Sequence, residues 1–77
     1  MKFTDEKFVL MALFMYALRR QTYAVGIAIE NLKANWKELD VYSREQVVRE
    51  IKDEALRDTF DKRSWNSFLE WVMEQKL

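Results

Sequence analysis

Proline does not occur in this chain, and Gly26 is its only glycine. Hairpin turns that need positive φ and glycine-rich loops therefore have almost no raw material, while helices meet little to stop them. An all-α fold follows. At 77 residues the chain makes a single helical domain, residues 1–77, in which folding removes only ~60% of the unfolded surface, so one core is the limit. The 49% hydrophobic and 14% aromatic content argue for a core of large side chains rather than disorder.

Three helix starts share one device, a capping side chain flanked by apolar residues that close over it. Phe3, Thr4 and Phe8 form the first, with Asp5 and Glu6 suited to the positive end of the dipole. Tyr42, Ser43 and Val47 form the second, where Gln46 completes a capping box with Ser43. Phe60, Asp61 and Trp65 form the third. These starts predict helices over about 5–20, 44–57 and 62–75. A further helix has Thr22 as its best cap and one apolar stripe of Val25, Ala28, Ile29, Leu32, Trp36 and Leu39.

The helix over 44–57 carries a narrow stripe of Val47, Val48, Ile51, Ala55 and Leu56, with Glu45–Arg49 and Asp53–Arg57 as i,i+4 pairs, and belongs at the edge of the fold. The first helix is apolar all round from Phe8 to Leu18. Either the other three helices surround it, or a second copy of the chain covers one of its faces. The expected architecture is a compact four-helix bundle with this apolar N-terminal helix at its centre. The last helix centres on Trp65, Phe68, Leu69 and Val72, leaving Trp71 about a third of a turn off the stripe. Trp71 is then either an edge residue lying on a neighbour or an exposed anchor for a partner.

Composition excludes more chemistry than it offers. Without cysteine there is no disulfide, thiolate nucleophile or Cys-type zinc site, and without histidine the commonest metal ligand and near-neutral proton carrier is gone. Ser64 and Ser67 have no imidazole to activate them, and phosphate cradles fail for want of glycine. No catalytic set, cofactor site or metal site is expected. The one dense carboxylate cluster, Glu50, Asp53, Glu54 and Asp58, has Lys52 and Arg57 interleaved and reads as a solvated face.

Thirteen basic and thirteen acidic residues cancel, so no long-range field draws in nucleic acid or an anionic membrane. A helix-turn-helix reader would use Arg44, Gln46, Arg49 and Lys52, but Glu45, Glu50, Asp53 and Glu54 on the same helix would repel phosphates. The apolar run from Phe8 to Leu18 is closed by Arg19 and Arg20 and is shorter than the ~20 residues a membrane span needs. The arginines also suit the negative end of the first helix. Beside Tyr16 and Tyr23 they would instead form a compact patch for an acidic partner or a phosphate.

The string Arg19-Arg20-Gln21-Thr22-Tyr23-Ala24-Val25, followed by Asn31-Leu32, Trp36, Ser43-Arg44, Glu50-Ile51, and Asp61 four residues before Trp65, resembles small proteins encoded by bacteriophages and prophages. The resemblance covers roughly residues 16–72. Proteins of this class and size often inhibit host machinery stoichiometrically, anti-CRISPR proteins among them. The resemblance implies a binding role in the cytoplasm of a bacterial host, against a protein partner such as a host defence complex, and assigns no functional residue. From the residues themselves, Arg19, Arg20, Tyr23 and Trp71 are the expected contacts. A homodimer and a nucleic-acid-binding regulator are the alternatives.

Overall fold

The computed structural model of the chain describes residues 4–19, 23–57 and 61–75. Four α-helices, α1 (Thr4–Leu18), α2 (Tyr23–Asn35), α3 (Val41–Glu54) and α4 (Lys62–Glu74), follow one another, with a 3-10 turn at Trp36–Glu38 between α2 and α3. The described residues contain no strand, and the fold is an all-α four-helix bundle. Its radius of gyration, 11.7 Å, matches the ~11.5 Å of a compact domain this long.

α4 starts where its cap predicts. Asp61 accepts from the Ser64 backbone N–H at 3.1 Å, and the Ser64 hydroxyl donates to its other carboxylate oxygen at 3.1 Å. α3 uses the same Asp-x-x-Ser clasp one stage earlier than expected. Its cap is Asp40, which accepts from Ser43 N at 3.3 Å and from the Ser43 hydroxyl at 2.7 Å. Ser43 therefore sits inside the first turn, buried, while Tyr42 stands exposed and forms no staple with Val47. The physical reason is acceptor strength: a carboxylate at Asp40 satisfies the orphan N–H better than a hydroxyl, and it holds Ser43 besides. α1 is already helical at Thr4, and Phe3 lies outside the described residues, as do Thr22 and Phe60.

The core is organised around aromatics. Phe14 of α1 meets Trp65 of α4 edge to face at 5.6 Å, Trp65 meets Phe68 at 6.1 Å, and Phe68 meets Trp36 at 5.4 Å. These rings run from α1 through α4 to the 3-10 turn, in the perpendicular arrangement their quadrupoles favour. Leu18, Val25, Ala28, Leu32, Val47 and Ile51 fill the space around them. The stripe over 25–39 is buried as expected, except that Ile29 is half-buried and the backbone tightens into the 3-10 turn at Trp36.

α1 supplies Leu10, Phe14, Ala17 and Leu18 to the heart of this core, yet Phe8 (62% exposed), Val9 (69%) and Tyr16 (56%) face outward. Three neighbours about 10 Å across cannot enclose a fourth helix of the same girth, so one face of α1 stays uncovered by the described residues.

Gly26, the fourth residue of α2, stands exposed, with open space where a Cβ would project. Gly26→Ala is expected to stabilise the protein by about 0.5–1 kcal/mol, read as a higher urea midpoint at unchanged slope.

Candidate binding surface

α3 presents two faces. Ser43, Val47, Ile51 and Glu54 are buried, whereas Val41, Arg44, Glu45, Val48, Arg49, Lys52 and Asp53 line an open groove. Trp36 and Lys37 of the 3-10 turn and Val72 and Gln75 near the end of α4 complete it. The groove exists because α3 packs on α1 while α4 packs on α2, so these two helices stay apart on this side. Its volume is about 730 Å³, and Trp36, Val41, Val48 and Val72 form its apolar part among charged and polar neighbours.

The polar lining is unbalanced. Lys37, Arg44, Arg49 and Lys52 contribute positive charge against Glu45 and Asp53, on a chain whose net charge is zero. Arg44 is held from within: its Nε donates to the Trp36 carbonyl at 3.0 Å and its Nη2 to the Lys37 carbonyl at 2.9 Å. It thereby satisfies carbonyls left open where helix ends. Lys37, Arg49 and Lys52 are exposed.

The four residues expected to make contact do not come together. Arg19 is exposed, but its Nε lies 3.5 Å from Glu54 Oε1. Arg57 reaches the same oxygen at 2.9 Å, choosing this i,i+3 partner over Asp53. Glu54 is itself only 4% exposed, so the two guanidinium groups neutralise a buried carboxylate. Arg20 lies outside the described residues. Tyr23 is 85% exposed at the first turn of α2.

Trp71 is not a free anchor. It stacks on Phe68 at 5.9 Å, meets the edge of Trp36 at 6.3 Å, and carries Lys33 Nζ 5.6 Å above its ring. Its place a third of a turn off the stripe lets it lie on α2 instead of pointing to solvent. Lys33 is ten residues beyond Tyr23, so ~15 Å of helix separates Trp71 from Tyr23.

Set beside family models, curated proteins and solved structures, the chain matches none of them.

Trp36 is buried in the core and Val72 packs against it, as expected, and both also border the groove, together with Arg44, Arg49 and Lys52 of the helix on which a nucleic-acid reader was weighed. A second periodicity on α3, with Val41, Val48 and Lys52 at spacings of seven and four, was the available signal. The carboxylate cluster divides instead of converging: Glu54 is buried, Glu50 half-buried, Asp53 turns to the groove, and Asp58 lies outside the described residues. Among the described residues no His, Cys, Asp or Glu group is placed to hold a metal ion, and no helix is long and apolar enough to cross a membrane.

Asp40 ties the groove end of α3 to α1, since Lys7 Nζ lies 3.3 Å from its Oδ1. Its pKa is lowered from 3.8 to about 2, chiefly by the Ser43 hydroxyl bond, with Lys7 helping and desolvation opposing. A depressed folded-state pKa contributes stability that is present above the unfolded value and is lost as pH falls through the folded one. Stability is therefore expected to decline between about pH 4 and pH 2 from this group. Asp40→Asn keeps a capping acceptor without the titration, so its stability profile should be flatter over that window in chemical denaturation.

Proposed function

We propose that this chain is a binding protein that acts by docking a segment of another macromolecule in the groove between α3, the 3-10 turn and the end of α4. The observation that carries the reading is the groove itself: an open channel of about 730 Å³ in which Trp36, Val41, Val48 and Val72 lie among exposed cations, on a fold whose core is already filled. An apolar centre with polar groups around it is the usual make-up of an interface. A solvated face would instead carry charge alone.

The likeness of residues 16–72 to small phage and prophage proteins supports a finer version, a stoichiometric inhibitor working in the bacterial cytoplasm against a host complex such as a CRISPR effector. Affinity capture from a bacterial lysate tests both levels. Proteins retained by the wild-type chain and lost with Val48→Asp, at unchanged circular dichroism, are the expected result. Identical captures from the two chains would remove the groove from the reading.

A second reading rests on the open face of α1. Phe8, Val9 and Tyr16 make an apolar strip suited to a second copy of the chain. These three side chains expose only ~350 Å², under half of the ~800 Å² per partner of a stable interface, so the strip supports at most a weak dimer. Sedimentation at rising concentration tests it, and a single monomer peak throughout would end it.

A further inference from the structure

The groove has the dimensions of a helix ridge. From Val41 to Lys52 the α3 wall runs ~17 Å at 1.5 Å per residue, the length of about three helical turns. The groove is open along this wall, so a partner helix would lie on it with one row of side chains turned inward.

Chemistry narrows the occupant further. Val41, Val48 and Val72 offer nothing to a sugar-phosphate backbone, and Trp36, 4% exposed and committed to Phe68, has no free face on which to stack a base. Glu45 and Asp53 would oppose a continuous run of phosphates. Discrete anions spaced along a helix avoid them and meet Lys37, Arg49 and Lys52.

We infer that the groove along α3 receives a short amphipathic helix of a partner protein, with apolar residues at i, i+3 or i+4, and i+7 on its inner face and Asp or Glu on its flanks. This rests on the proposal that the groove is the binding site, and adds the chemistry of what enters it. Binding follows the helix-in-groove mode, in which side-chain anchors supply affinity and rim charges set partner choice and on-rate.

Selection from a displayed library of random 14-residue segments against the immobilised full chain tests it. Enriched peptides should be net acidic and of amphipathic helical pattern. Synthesised and labelled, they should lose at least tenfold in affinity toward Arg49→Glu/Lys52→Glu, a pair of exposed changes that leaves the core untouched. They should also lose it toward Val48→Asp, with thermal midpoints recorded for both variants. Enrichment of neutral or basic peptides, no enrichment, or peptides indifferent to the charge reversal would overturn the inference. A random 20-base-pair duplex is the parallel probe, and duplex binding lost in Arg49→Glu/Lys52→Glu would likewise overturn it. If peptide chemistry fails while lysate capture still depends on Val48, the groove remains the binding site and only its occupant is wrong.

Discussion

Trp65→Ala is expected to cost about 3–5 kcal/mol, close to the whole stability of the domain. At ~0.05–0.15 kcal/mol per residue a 77-residue chain holds only about 4–12 kcal/mol. Trp65 is fully buried, and its ring links Phe14 of α1 to Phe68 of α4, so truncation opens a cavity where two helices meet. A paired substitution separates volume from polarity. Trp65 Nε1 is buried and finds no acceptor among the described residues. An unsatisfied donor costs about 1–3 kcal/mol. Trp65→Phe removes that donor while keeping most of the ring, so the relief offsets part of the lost packing and the net change should stay within about 1–2 kcal/mol. Urea denaturation of both variants decides it. Equal losses would mean that Nε1 is satisfied in solution.

Removing Arg19 and Arg57 together is expected to destabilise far more than the sum of the single changes. Either guanidinium alone still neutralises Glu54, so Arg19→Ala or Arg57→Ala should each cost less than about 1 kcal/mol. With both gone, a carboxylate with 5% side-chain exposure stands unpaired. Stripping a buried charge of its partners costs about 3–5 kcal/mol. The arginine side chains are 58% and 65% exposed, so water fills in behind them, and about 2–3 kcal/mol is the expected loss. Adding Glu54→Gln to the double variant removes the charge and should restore at least half of it. A double-mutant cycle gives the coupling directly, and strict additivity would show that Glu54 needs neither arginine. The cycle also bears on binding studies, because Arg19→Ala touches this ion pair as well as any contact surface.

How far the sequence reaches depends on the range of the interaction that decides each feature. The Asp61 cap, the burial of Trp65, Leu32 and Ile51, and the all-α class are set by neighbours within one or two helical turns, and were legible. Asp40 was missed because Ser43 offered a plausible cap three residues later, and only backbone geometry separates two capping side chains on one turn. Trp71 illustrates a longer range. Its offset from the stripe is visible in sequence, but its rest on Trp36 and beneath Lys33 depends on how α4 crosses α2. The groove was least legible of all. It exists where α3 and α4 diverge on either side of the 3-10 turn, and its residues divide among three segments, none of which looks unusual alone.

Trp36 belongs at once to the groove lining and to the aromatic core, and its carbonyl is clasped by Arg44. An occupant of the channel would therefore sit beside the same indole that the interior is built against, although only 4% of that residue is exposed. The protein thus carries its own optical reporter: intrinsic tryptophan emission should shift as the channel fills, with no label attached.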